Sequence, residues 1–383
     1  MVVLPYGSAP YPLALAGREA TIIEPATLPA PAPLDFLIED ALARPIGRPV
    51  LETLVGSRGR VTVIISDSTR NEPRAAFLAA IRRRLPDAYL TIAIATGTHG
   101  PADLHSLGLP DELLAGVELV NHDGHRDDGL VDLGVTARGT PIRLHRCVVD
   151  TDLVIATGCI RPHYFAGFGA GVKAVFPGLG AATAIRRNHA LKTAPRARAG
   201  ITDGNPCRED LEEAVRAIAT PMFLVNGVCG PDGLVHAVVA GDLVRAFRDG
   251  AARARRWFSA RAPRAPIVVG SDALPVTASL YQAAKIAAAC APLVEEDGAL
   301  VVVAECPDGI GPLDVVNEKI FRIGVLPRLP RGASIHLVSG LSSELVAGTL
   351  VRYAASVAEV LSQRAGRVVV VPNASQLILE PTS

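Results

Sequence analysis

Apolar residues in this chain come in short continuous runs, separated by polar loops rich in glycine and proline. The run Arg60–Ser66 (Arg-Val-Thr-Val-Ile-Ile-Ser) is β-branched and has no polar alternation, so it predicts a strand covered on both faces of a parallel sheet. Tyr89–Ala95, Val117–Asn121, Leu153–Thr157 and Met222–Cys229 read the same way. Helical periodicity fills the gaps at Leu34–Ala43, Arg74–Arg84, Asp103–Leu114, Leu211–Ala219 and Leu243–Arg261, and short β-like pieces precede them at Tyr11–Leu15 and Ala20–Ile23. Ala262–Pro266 reads as a linker. A second alternation follows, with strands at Ile267–Gly270, Ala299–Ala304, Ser334–Val338 and Arg367–Val371. Its helices are predicted at Leu280–Ala291, near Leu313–Phe321 and at Val351–Arg364. Strands alternating with helices imply an α/β fold of two α/β domains with mostly parallel sheets. The expected domains are 1–262 and 266–372, with residues 373–383 packing back on the first.

In parallel sheets ligands bind beyond the carboxyl ends of strands. Three polar or glycine-rich loops follow predicted strands here: Asp67-Ser68-Thr69-Arg70, Thr96-Gly97-Thr98-His99, and the long segment from Gly158 to Lys173. On a parallel reading they converge at one edge. Asp67–Arg70 suits either a turn with a helix cap or an anion site in which hydroxyls and N–H groups face phosphate and Arg70 faces a carboxylate. The third loop continues through Gly178 and Gly180 to His189 and carries His163 and Lys173 among five glycines. Of 38 basic side chains only Lys173, Lys192, Lys285 and Lys319 are lysines. Arginine is this chain's default cation, so a lysine in a glycine loop points to a need for an amine, which can act as a nucleophile. Gly169-Ala-Gly171-Val-Lys-Ala174 resembles the dinucleotide fingerprint only superficially. No Asp or Glu follows before Asp203 to hold a ribose. His122-Asp-Gly-His125 reads as a solvated loop. Gln282 and Lys285 share one face of a predicted helix, next to Tyr281.

Composition narrows the class. The chain has 383 residues, zero formal net charge and 49% hydrophobic residues, which fits an enzyme with a large core and argues against nucleic-acid binding. Six cysteines without a C-x-x-C pair indicate a reducing compartment. The first residues lack the features of a signal peptide, and no apolar run is long enough to span a bilayer, so a cytoplasmic, membrane-free location is expected.

Taken together, Ser66-Asp67-Ser68-Thr69-Arg70, Ala95-Thr-Gly-Thr98-His99, Pro162-His163-Tyr-Phe-Ala-Gly-Phe-Gly169-Ala-Gly171-Val-Lys173, Phe176-Pro-Gly178, Asn188-His189 and Gln282-x-x-Lys285 resemble the lactate racemase family, in its order and at similar spacing. The resemblance spans roughly residues 5 to 375 and implies a nickel-pincer nucleotide, a pyridinium bis-thiocarboxylate mononucleotide carrying nickel, as cofactor. It implies His99 and His163 as paired acid–base catalysts. Lys173 would hold the cofactor, covalently through a thioamide in the founding enzyme, with Asp67, Ser68, Thr69, Thr98, Gly169 and Gly171 around it. His189 would ligate nickel, and Arg70, Tyr281, Gln282 and Lys285 would bind the substrate. The implied active site lies in the cleft between the two domains. The implied reaction is racemisation or epimerisation of a small-molecule 2-hydroxy acid by hydride abstraction and return, with one histidine serving each enantiomer. Separate cofactor-synthesis proteins would be needed for maturation. At Phe168-Gly169-Ala170-Gly171 the chain departs from the Phe-Ser-Gly-Gly of many members, which reshapes the pocket wall.

Two other classes use the same residues. One is a metal-dependent hydrolase with His99, His163 and His189 as zinc ligands, which requires the three imidazoles to converge. The other is a non-catalytic member that binds or carries the nucleotide.

Overall fold

The computed structural model describes residues 2–56 and 58–382. Residues up to Thr27 carry three short strands, β1 (Val2–Leu4), β2 (Tyr11–Leu13) and β3 (Ala20–Ile22). They form one compact unit with the chain from Phe258 onward, and Leu28–Trp257 forms the other.

The unit Leu28–Trp257 contains, in order, α1 (Leu34–Ala43), β4 (Arg60–Ser66), α2 (Arg74–Arg84), β5 (Tyr89–Ala95), α3 (Asp111–Leu114), β6 (Glu118–Asn121), β7 (Leu130–Val135), β8 (Pro141–His145) and β9 (Leu153–Ile160). It continues with β10 (Pro162–His163), β11 (Gly167–Phe168), α4 (Ala182–Ala190), α5 (Pro206–Arg216), β12 (Met222–Cys229), β13 (Val235–Gly241) and α6 (Arg245–Phe258). Among the described residues its main sheet has the order β13-β12-β9-β4-β5-β6, parallel except for β13. Central β4 reads as expected: Val61, Val63, Ile64 and Ile65 are all buried. One face packs on α2 through Phe77, Leu78 and Ile81. Truncating a buried Phe such as Phe77 to Ala costs about 3–5 kcal/mol. Because β9, β4 and β5 are adjacent and parallel, their carboxyl ends and the three candidate loops lie side by side.

The remaining segment contains β14 (Ser259–Pro263), β15 (Ala265–Ser271), α7 (Leu280–Cys290), β16 (Val294–Val303), a π-helix (Val315–Val325), β17 (Ser334–Val338), α8 (Ser343–Ala347), β18 (Arg352–Tyr353), α9 (Val357–Ser362), β19 (Val368–Val371) and β20 (Ile378–Thr382). With β3 it builds the parallel sheet β18-β17-β16-β15-β19-β3.

Several expectations are corrected. The 262–266 linker is the junction of two strands, the end of β14 and the start of β15, with only Arg264 between them. Pro266, which cannot donate to a ladder, falls at a register shift between Ala265 and Ile267. Residues 378–382 pair with β14, within the unit formed by the chain up to Thr27 and from Phe258 onward. The helix expected over Asp103–Leu114 is broken, since Gly108 takes φ +63 and Pro110 follows, leaving only short turns on either side. The helix expected from Val351 starts at Val357, where the Ser356 hydroxyl caps the Glu359 N–H. The β7–β8 hairpin, edge strand β13 and helix α4 were not anticipated. No helix among the described residues is long and apolar enough to cross a membrane.

Candidate functional site

The loop after β4 is a tight turn. Asp67 is buried, and its Oδ1 accepts from the Thr69 N–H at 3.1 Å and from the Thr69 hydroxyl. Its Oδ2 lies 2.7 Å from His99 Nδ1, on the loop after β5. Burial alone would raise this carboxyl. The His99 and Thr69 hydrogen bonds, with the charges of His99 and Arg70, hold it below the ordinary carboxylate value. Paired with a carboxylate, His99 Nδ1 donates to Asp67, so in the neutral ring the Nε2 lone pair is the one left to accept. Both oxygens of Asp67, expected to contact cofactor, are thus engaged by protein groups.

Two residues that sequence reading passed over fix this turn. Buried Arg74 donates to the carbonyl oxygens of Ser66 at 2.7 Å and Arg70 at 2.6 Å, and also to that of Asp67. Buried Glu72 accepts the Ser66 N–H at 2.8 Å and the Thr157 hydroxyl, tying β4 to β9. Helix α2 has Pro73 at its N-cap position and no side-chain cap, so Asp67–Arg70 is a clamped turn and not a helix cap. Ser68, Thr69 and Arg70 are exposed at its rim.

The loop after β5 reaches the third loop through the Gly97 N–H, which donates to Gly178 O at 2.9 Å. Thr98 is exposed, and its carbonyl oxygen lies 3.3 Å from His125 Nε2. His122, read as part of a solvated loop, is instead buried, with Nε2 3.0 Å from Gly180 O.

Beyond β9, β10 and β11 form a small hairpin around Tyr164-Phe165-Ala166. The Ala166 N–H donates to His163 Nδ1 at 3.2 Å, so in the neutral ring the proton sits on Nε2, the opposite tautomer to His99. Phe165 is buried and gathers the remaining candidates around its ring. His163 meets it edge-on at 4.6 Å, His189 at 4.9 Å, and Lys173 Nζ lies 5.8 Å from its centroid.

Lys173 is half-buried as a residue. Burial, followed by the charges of Arg208 and Arg70, pushes the amine down to about 7. His189, at the end of α4, is pushed down to about 3 by burial and by Lys173 and Lys192, and is therefore neutral near pH 7. Asn188 beside it is buried and donates to Asp210 at 2.8 Å and to Cys207 O at 3.1 Å, which anchors α4 on α5.

Within the glycine loop, the Gly171 N–H donates to Asn226 Oδ1 at 2.9 Å and the Gly169 N–H to Arg161 O at 2.8 Å. Gly171 takes φ +64 and a Cβ there would strike Phe247 and Arg208. Ala170 holds φ 60 and ψ −161, a region almost reserved for glycine.

In the other unit, the Ser279 hydroxyl caps α7, Lys285 Nζ donates to Gln282 Oε1 at 2.6 Å, and Tyr281 precedes them with 38% of its surface exposed. Among the described residues no three His, Cys, Asp or Glu side chains are grouped to hold a metal, so His99, His163 and His189 do not assemble a three-ligand zinc centre.

Comparison with known proteins bears on the family and the fold. Residues 6–200 match the lactate racemase N-terminal domain. The chain is 28% identical over 308 residues to a lactate racemase of Thermoanaerobacterium thermosaccharolyticum, covering 75% of this chain and 72% of that one. It is 30% identical over 283 residues to a lactate racemase of Lactiplantibacillus plantarum, covering 72% and 66%. Its fold is similar to the lactate racemase apoprotein of T. thermosaccharolyticum, with TM-score 0.85 and 24% identity over 99% of both chains. It is also similar to a Thermotoga maritima protein solved by structural genomics, with TM-score 0.68 and 15% identity over 93% and 100%. With a family domain matched across half its length, on the residues that carry the three converging loops, this chain belongs to the lactate racemase family.

Proposed function

We propose that this chain is a racemase or epimerase of a small 2-hydroxy acid that works with a nickel-pincer nucleotide. The observation that carries the reading is the grouping of His163, Lys173 and His189 around the Phe165 ring. The residues suit the group. His189 offers a neutral imidazole, a good nickel donor, and Lys173 offers an amine that is substantially unprotonated near neutral pH. Bound there, the nucleotide supplies a hydride acceptor and donor.

The chain's own groups do the rest. His99, oriented by Asp67, takes the substrate hydroxyl proton at Nε2. His163, with Nε2 protonated, holds a proton ready to return to oxygen. Arg70, exposed at the rim of the first loop, binds the carboxylate. The Phe165 ring excludes water from one side of Lys173 and His189. The proposal extends to Tyr281, Gln282 and Lys285 as substrate-binding residues. For these, Lys285→Met should raise KM at least about tenfold with kcat little changed.

The test is made with holoenzyme from a host that also carries the cofactor-synthesis proteins. Each pure enantiomer of a panel of 2-hydroxy acids, deuterated at Cα, is followed by chiral chromatography and mass spectrometry. Inversion with the deuterium retained is the expected result. Failure to invert any of them refutes racemase activity, and inversion with loss of deuterium to water replaces the hydride route with proton abstraction.

A further inference from the structure

Strand β6 runs parallel to β5 and leads into Asn121-His122-Asp123-Gly124-His125, so this loop emerges beside the one that carries His99. His122 and Gly124 are buried, and the loop bonds in two directions. Toward the His99 loop, the Asn121 side chain holds both backbone groups of Ala102. Its Oδ1 accepts the Ala102 N–H at 2.8 Å and its Nδ2 donates to Ala102 O at 2.8 Å. The buried Thr96 hydroxyl donates to His122 O at 2.7 Å, and His125 Nε2 lies 3.3 Å from Thr98 O. The chain on both sides of His99 is thus tied to the end of β6.

In the other direction the loop holds the chain that enters α4. His122 Nε2 lies 3.0 Å from Gly180 O, and a carbonyl oxygen can only accept, so this nitrogen carries the ring proton. The N–H of Ala182, the first residue of α4, donates to Gly124 O at 2.7 Å. Gly124 sits where the two loops meet. A Cβ there would come within 2.5 Å of Gly97 O and 2.7 Å of Gly180 O, so a larger residue would push them apart. The loops also touch directly, through the Gly97 N–H and Gly178 O at 2.9 Å. His122 joins them within one residue: its carbonyl oxygen is held by the first loop, and its imidazole holds the second.

We propose that His122 is a positioning residue: it fixes the spacing between the loop that carries His99 and the start of α4, the helix that carries His189 in its last turn. This rests on the reading of His99 as the base and His189 as the nickel ligand. His122 acts on both through backbone. A misplacement of about 1 Å between reacting groups can cost about 10²-fold in rate, so a brace of this kind bears on kcat and not on substrate affinity.

The experiment compares two variants. His122→Leu removes the donor, and His122→Gln keeps an N–H at a similar reach. Deuterium exchange of the full-length apoprotein is read residue by residue by mass spectrometry, so a variant that takes up no nickel is still scored. In His122→Leu the Gly97 and Ala182 amides should exchange about tenfold faster, while Val63, Ile64 and Ile65 in β4 keep the parent's rates. His122→Gln should restore most of the protection. In holoenzyme, with rates taken per bound nickel, kcat of His122→Leu should fall about ten- to hundredfold with KM within about threefold, and His122→Gln should recover most of it. A residue that only stabilises the fold would lower the melting temperature and leave kcat per nickel within about threefold of the parent, and that result overturns the proposal. Unchanged exchange at Gly97 and Ala182, or a glutamine variant no better than leucine, overturns it as well. If His122→Leu does not fold, Thr96→Val decides, since it deletes only the hydroxyl bond to His122 O. Faster exchange at the same two amides is expected, and unchanged exchange overturns the proposal. An inactive parent enzyme would refute the racemase reading and leave the exchange result standing, so the two ideas fall separately.

Discussion

Asp67→Asn tests the acid–base assignment most sharply, because it changes one charge and almost no volume. In the native turn the Thr69 N–H and hydroxyl both donate to Asp67 Oδ1. An asparagine must keep its amide oxygen on that side, since turning it would forfeit both bonds, at about 1 kcal/mol each. The amide NH2 then faces His99 Nδ1 at the position where Oδ2 lay 2.7 Å away. Nδ1 becomes the acceptor and the ring proton moves to Nε2, the atom proposed to take the substrate hydroxyl proton. His99 would hold the wrong tautomer with its position unchanged. Losing a positioned general base costs about 10²–10⁴-fold in kcat, or roughly 3–5 kcal/mol of transition-state stabilisation. Asp67 was also expected to touch the cofactor, so bound nickel is measured in each preparation and rates are expressed per nickel. Nitrogen-15 NMR of the apoprotein reads the His99 tautomer directly. A variant that inverts substrate within threefold of the parent rate per nickel, or whose His99 keeps its Nδ1 proton, would refute the reasoning.

Three further outcomes are expected. Lys173 has a lower proton affinity folded, with a midpoint near 7, than in an unfolded chain near 10.5, so the unfolded state binds more protons between those values and stability must rise with pH across that window. Thermal melts of the apoprotein should show this rise, about 1–3 kcal/mol after allowing for solvent screening of a half-buried side chain, and Lys173→Met should flatten it. Ala170→Gly releases the positive-φ strain at a smaller entropic cost and should stabilise the apoprotein by about 0.5–2 kcal/mol in urea denaturation, whereas a loss would mean that the methyl packs favourably against Gly158. Arg74→Met strips the donor from three carbonyls of the Asp67 turn and should cost about 2–4 kcal/mol in the same assay, with kcat falling more than global stability explains.

Much of the framework could be read from local pattern. Arg60–Ser66, Tyr89–Ala95, Met222–Cys229 and Ser334–Val338 form strands over the expected residues, because a β-branched run covered on both faces needs no distant information to identify it. The same holds for α1 and α2. The antiparallel edge strand β13 and the β7–β8 hairpin escaped because their pairing is decided by partners elsewhere in the chain. At the site, glycine spacing and the scarcity of lysine pointed to Lys173, and motif order to the histidines. Glu72, Arg74 and Arg208 did not stand out, since charged residues beside a proline or within a charged helix read as solvent-facing. Their burial follows from backbone groups on neighbouring loops that only the fold brings to them.

The Phe165 ring has a consequence for how changes at this site combine. Its edges and face touch His163, His189 and the Lys173 amine at once, and the Asn205 side chain at the start of α5 donates to its carbonyl at 2.8 Å. A substitution at any of these three candidate positions alters the wall against which the other two rest. Their effects will combine non-additively in double-mutant cycles. A change at one of them is therefore felt at the other two, and Phe165 is the residue through which that coupling runs.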